Sequence, residues 1–147
     1  HHTMSEDDVK TVMQVPWISI GSDGSALNQK YPGKPHPRSF GTNPRVLGKY
    51  TREEKVLQLE DAVRKMTSLP AQVLGLKDRG LLREGYWADV VVFDPDTVVD
   101  TATYDNPKQY PRGIDYVLVN GTVVIESGHH TGARPGKVIY GPGKAGS

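Results

Sequence analysis

The sequence predicts an α/β segment followed by a β-rich one. Three observations carry this. A capped helix is cut off by Pro16 and followed by a short apolar run, 17–20, that stops in Gly21-Ser22-Asp23-Gly24. That is the α-then-β rhythm of an α/β fold. A second helical pattern covers 57–66, with apolar residues at i, i+3, i+4 and i+7. From Gly80 onward the pattern turns to β, with Asn120-Gly121 set between two β-branched runs. The expected division is 1–78 and 79–147.

Each element has a local reason. His1-His2-Thr3-Met4 reads equally as a tag remnant or as native chain. Ser5 caps a helix over 6–14, with acids in its first turn and Asp8 three residues after the cap. Trp17, Ile18 and Ile20 mark a short buried strand. Residues 25–48 carry four prolines and three glycines without periodicity, and read as a long loop. Such loops are usually functional or linking. Leu59, Ala62, Val63 and Met66 form the apolar stripe of the clearest helix. Ser68 and Pro70 then start a short helix that Gly75 ends. Residues 88–93 form a strand closed by Asp94-Pro95-Asp96. Residues 116–119 and 122–125 form a hairpin with a type I′ turn. Residues 137–140 suggest a last short strand.

Composition narrows the function. The chain has 147 residues, whereas a complete (β/α)8 barrel typically needs about 250. With 16 glycines and 11 prolines it is loop-rich, yet short of the roughly 25–30% Pro plus Gly of low-complexity chains. A net charge of +1 gives no reason to expect a nucleic-acid or membrane partner. No apolar run is long enough to span a bilayer, and no leader pattern is visible. No cysteine is present, which excludes disulfides and thiolate metal ligands. A cytoplasmic location is the expectation.

Few residues are placed to do chemistry. Asp23 follows an apolar strand, where α/β folds present ligand-facing groups; its alternative is an Asx-turn or helix cap. Arg38, in His36-Pro37-Arg38, could grip a carboxylate with its guanidinium fork; its alternative is a solvated arginine. His36 is a possible ligand or proton carrier in the same loop. His129 and His130 read as a solvated turn after the hairpin. Gly21-Ser22-Asp23-Gly24 lacks the Lys-Ser/Thr of a P-loop and the spacing of GxGxxG, and no HExxH or nucleophile elbow occurs.

Four segments together resemble a known family: PWISIGSDG (16–24), HPRSFGTNPRVLGKY (36–50), the run from 59 to 98 that contains EGYWADVVVFD, and DYVLVNGTVVIESGHHTGARPGKVI (115–139). They are similar, in order, to the carboxyl-terminal third of the N-acyl-D-amino-acid deacylases (D-aminoacylases) of the amidohydrolase superfamily. The resemblance implies the end of a metal-dependent (β/α)8 barrel, with its substrate loop at 25–48 and part of a small β-sandwich after 79. Trp87 and the hairpin would lie in the sandwich core. It implies zinc as cofactor, Asp23 as the catalytic acid/base that also touches the metal, and Arg38 as the grip on the substrate's α-carboxylate, with His36 beside it. The partners implied are a small N-acyl-D-amino acid and the remainder of the barrel. The loop after Ser25 is a few residues longer than the family's.

The family's HxH pair, bridging Cys and two later His ligands are absent from this chain, so most of the barrel is expected to precede residue 1. The 147 residues alone should then neither hydrolyse N-acetyl-D-methionine nor bind zinc tightly. Two alternatives remain. A cyclic-amide hydrolase of the dihydropyrimidinase or dihydroorotase kind would keep Asp23 and the β-segment without needing the HPR loop. A non-catalytic β-rich structural domain would need neither.

Overall fold

The structure is a computed structural model and describes residues 4–27 and 30–140. The tag-or-native question at His1-His2 lies outside the described residues.

The first helix, α1 (Glu6–Gln14), starts as its sequence predicts. Ser5 Oγ accepts the Asp8 N–H at 3.1 Å, and Asp8 Oδ2 accepts the Ser5 N–H at 3.1 Å. This reciprocal box satisfies two amides that a helix start leaves orphaned. Val9 and Met13 turn toward the core.

Residues 17–20 do not form the expected strand. Trp17 lies in a turn closed by the Ile18 N–H on the Val15 carbonyl at 3.2 Å, and residues 18–20 join no ladder, because no strand lies beside them among the described residues. They are held instead by helix α3 (Leu59–Met66). The Ile20 N–H donates to the Lys65 carbonyl at 3.0 Å. The Lys65 ammonium, fully buried, donates back to the carbonyls of Val15 and Ile18. Arg64 Nη2 donates to the Pro16 carbonyl at 2.6 Å. A cation at the carbonyl end of α1 also complements the helix dipole.

The 25–48 loop is shorter than expected. It ends at Pro37, where α2 (Arg38–Arg45) begins and runs on into a π-helical segment, Val46–Glu53. Gly41 and Pro44 hide α2 from sequence reading, since both disfavour helix interiors. Packing overrides them: both are buried. A Cβ at Gly41 would lie 2.0 Å from Asp100 Oδ1, so a side chain there would have to displace the Asp100 carboxylate. The π segment closes with the Glu54 N–H reaching the Lys49 carbonyl, five residues back, at 2.8 Å.

Helix α4 (Ser68–Val73) follows α3. Ser68 is its first residue rather than its cap. Thr67 occupies the cap position but donates its hydroxyl to the Val63 carbonyl at 2.7 Å. Gly75 (φ 69°) ends α4, with the Leu76 N–H on the Ala71 carbonyl at 2.9 Å. This is a Schellman end, which favours glycine at the left-handed position.

The β part is one antiparallel sheet in the order β1 (Val90–Phe93), β2 (Ile114–Val119), β3 (Thr122–Glu126), β4 (His129–His130). Asn120 and Gly121 both have positive φ, 49° and 79°, as the predicted type I′ turn requires. Asp89 locks that turn by accepting the Asn120 N–H at 2.8 Å and the Arg79 guanidinium. His129 and His130 form the short edge strand β4, not a turn, and are exposed. Residues 137–140 form no strand among the described residues. Trp87, expected in a sandwich core, is 44% exposed, with no second sheet over it among the described residues. Its Nε1–H donates to Asp78 Oδ2 at 2.9 Å, and Arg79 lies over its ring.

The buried core is mostly helical. Val46, Leu47, Tyr50, Leu57, Ala62 and Val98 form it, with Ile20, Phe93 and Ile114 packed around. Val98 is gripped from two sides. Cβ atoms at Gly48 and Gly113 would lie 2.7 Å from its carbonyl oxygen and 2.5 Å from its nitrogen.

Replacing Lys65 by methionine should lower unfolding free energy by about 1–3 kcal/mol, since the part-buried carbonyls of Val15 and Ile18 lose a charged donor. Urea denaturation checks this; a loss below about 1 kcal/mol would contradict the anchoring role. Glu6 gives a pH prediction. Its carboxyl lies below the ordinary 4.5 because the Lys49 ammonium hydrogen-bonds it, with burial opposing and the Tyr50 hydroxyl assisting. The unfolded chain therefore takes up this proton first. The stability Glu6 adds is present above about pH 4.5 and fades as pH falls through the lower folded value. Glu6→Gln should flatten the acid limb of stability against pH, measured as melting temperature.

Candidate active site at the Asp23 and Arg38 cleft

The Gly21-Ser22-Asp23-Gly24 turn is built for a projecting carboxylate. Ser22 Oγ accepts the Gly24 N–H at 3.1 Å, closing a tight turn. Asp23 sits at φ 49°, a left-handed conformation that aspartate tolerates better than most side chains. Gly24 lies directly on the first turn of α2: a Cβ there would be 2.8 Å from Ser39 Cα. The Ser25 N–H reaches Ser39 Oγ at 3.3 Å. The end of the 17–20 segment is thereby pressed against the helix that carries Arg38.

The structure brings Asp23 and Arg38 together. Arg38 Nη2 lies 3.0 Å from Asp23 Oδ2. Their side chains are 44% and 85% exposed, so the pair is solvent-screened and adds little to stability. Such a pair exchanges partners readily. Both line a cleft of about 290 Å³ that also takes in Tyr31, Lys34 and His36.

His36 lines the cleft with both ring nitrogens engaged. Nδ1 accepts the Arg38 backbone N–H at 3.1 Å, and Nε2 meets the Tyr104 hydroxyl at 3.0 Å. The Tyr104 ring stands edge-on to the imidazole, centroids 5.0 Å apart. His129 and His130 line no part of this cleft. Tyr104, Ser39 and Gly24 were not singled out as site residues. Gly24 carried a signal, being the second glycine of the turn; Tyr104 carried none.

Among the described residues no three His, Asp or Glu side chains gather as metal donors. Asp23 offers one carboxylate, whose Oδ2 faces Arg38. It fits the role of a single donor to a metal held mainly by other residues, and no more.

Comparison with known proteins matches the chain to deacylases of N-acyl-D-amino acids. The chain is 48% identical to an N-acyl-D-glutamate deacylase of Alcaligenes xylosoxydans xylosoxydans, over 95% of its own length and 28% of that protein's. A crystal structure of D-aminoacylase superposes with a TM-score of 0.81 at 46% identity, covering 88% of this chain and 27% of the other. An N-acyl-D-glutamate deacylase from Bordetella bronchiseptica, complexed with zinc and a phosphonate mimic of the tetrahedral intermediate, superposes with a TM-score of 0.75 at 52% identity. It covers 82% of this chain and 25% of that one. The chain thus spans little more than a quarter of the length of these relatives. Residues 2–125 match the amidohydrolase family itself, and with most of its length inside that match the chain belongs to the amidohydrolase family.

Proposed function

We propose that this chain forms part of a zinc-dependent hydrolase of N-acyl-D-amino acids, to which it contributes a proton-carrying carboxylate and a carboxylate clamp. The observation that supports it best is the Asp23–Arg38 juxtaposition at 3.0 Å on one cleft. A carboxylate beside a guanidinium matches a substrate with an amide to cleave and a carboxylate to hold. The kinship to deacylases over nearly the whole chain supports the same reading. In this proposal residues 17–20 are a barrel strand whose neighbours come from the rest of a longer protein. The 76% exposure of Trp17 agrees with such a missing cover.

The chain's own residues then divide the work. Arg38 exchanges Asp23 for the substrate's α-carboxylate, a charge-assisted and potentially bidentate contact. This places the scissile amide next to Asp23. Released from Arg38, the Asp23 carboxylate takes the proton of the attacking water and returns it to the leaving amine nitrogen. Zinc, when bound, supplies an acidified water, whose pKa falls toward about 7. Asp23 would be one of its donors. His36 serves substrate binding through Arg38, whose backbone N–H it holds.

In the full-length protein with zinc, Asp23→Asn should lower kcat for N-acetyl-D-methionine on the order of 10²–10⁴-fold. Arg38→Ala should raise KM on the order of 10²-fold, from the loss of charged hydrogen bonds. Unchanged turnover in Arg38→Ala, together with hydrolysis of dihydropyrimidines or dihydroorotate, would favour the cyclic-amide reading instead. Gly24→Ala should impair both parameters, because its methyl group meets the backbone of Ser39.

A further inference from the structure

We propose that Tyr104 is a positioning residue for Arg38, acting through the imidazole of His36. The proposal rests on the clamp role given to Arg38 above. Tyr104 lies in the segment between β1 and β2, far along the chain from the cleft motifs, and lines no part of the cleft.

The argument begins at the start of α2. Pro37 precedes the helix, and no side chain at that position caps it. The Arg38 N–H is one of the amides a helix start leaves without an intrahelical partner. His36 Nδ1 takes it, at 3.1 Å. A backbone N–H can only donate, so Nδ1 must be the bare nitrogen and Nε2 must carry the proton. The Tyr104 oxygen, 3.0 Å from Nε2, is then the acceptor for that proton. The edge-on ring contact fixes the imidazole plane as well. Tyr104 thus holds the imidazole, by accepting from Nε2 and packing edge-on, in the orientation that keeps its bare Nδ1 toward the backbone of Arg38.

The same segment grips α2 further along. The Asp100 carboxylate fills the space a side chain at Gly41 would need, and lies 3.7 Å from Arg45 Nη1. Its Oδ1 accepts the Ala102 N–H at 2.8 Å, which stiffens the approach to Tyr104. The helix is therefore referenced to one strap at its first turn and again at Gly41 and Arg45. The strap's contact at the first turn is the one nearest the guanidinium.

The test uses the full-length zinc enzyme with N-acetyl-D-methionine and, in parallel, its carboxamide, which offers Arg38 no carboxylate. Tyr104→Phe should raise KM for the acid roughly three- to ten-fold, the worth of one partly exposed hydrogen bond, with kcat little changed. KM for the carboxamide should not move. His36→Ala should raise KM for the acid at least as much, and Tyr104→Phe should add nothing in that background, since both remove one coupled contact. His36→Asn, whose Oδ1 can take the Arg38 N–H, should lose less than His36→Ala. An unchanged acid KM in Tyr104→Phe, beside a large rise in Arg38→Ala, would overturn the proposal alone. Equal losses on acid and carboxamide would also overturn it, because they mean general disruption. If Arg38→Ala itself leaves the acid KM intact, the clamp reading falls. The Tyr104–His36 link is then decided by ¹⁵N NMR of the imidazole: a single Nε2–H tautomer that becomes mixed in Tyr104→Phe supports it, and a mixed population in the unaltered protein overturns it.

Discussion

The Lys65 ammonium is the interaction on which the rest of the molecule leans. It is fully buried yet carries a charge, which in an apolar interior is tolerable only with dedicated acceptors. The carbonyls of Val15 and Ile18 provide them, at the point where α1 has ended and its carbonyls lack intrahelical partners. The main chain of the same residue takes the Ile20 N–H. One side chain therefore fastens α1 and the segment that leads to Asp23 onto α3. Without it, nothing in a strand ladder would hold residues 17–20 among the described residues.

Arg38 reaches the cleft from the opposite direction. Its helix rests on Gly24 at one side, where a Cβ would meet the Ser39 backbone, and on Asp100 at the other, whose carboxylate fills the space beside Gly41. Asp100 is in turn placed by Val98, a core residue enclosed by Gly48 and Gly113. The π-helical segment adds Arg52, whose Nη1 donates to the Val98 carbonyl at 2.6 Å. The acid and the guanidinium of the candidate site thus hang from separate supports that meet across Gly24. That division suits a pair whose members must part when substrate enters.

Much of this was legible in the sequence, and the failures have physical causes. Ser5 with Asp8, the stripe from Leu59 to Met66, and Asn120-Gly121 are local signals, and each produced its element. Helix α2 was missed because Gly41 and Pro44 are poor helix formers; their burial against distant residues decides the outcome, and no local pattern carries that information. The strand expected at 17–20 has the right residues but no strand beside it among the described residues. Trp87 was placed in a sandwich core by the resemblance alone; among the described residues its ring carries cation contacts with Arg79 and Lys137. Asp23, Arg38 and His36 came from motif and kinship. Their meeting in one cleft, and the link to Tyr104, are tertiary facts.

The central claim is that Asp23 and Arg38 work on one substrate molecule. The most direct measurement is a crystal structure of the full-length protein with zinc and a non-hydrolysable N-acyl-D-amino-acid analogue. The account predicts the analogue's carboxylate on the Arg38 guanidinium, and Asp23 turned from Arg38 toward the scissile position, with an oxygen about 2.0–2.2 Å from the metal. An analogue seated with its carboxylate on other residues, and an Asp23–Arg38 pair still intact beneath it, would contradict it.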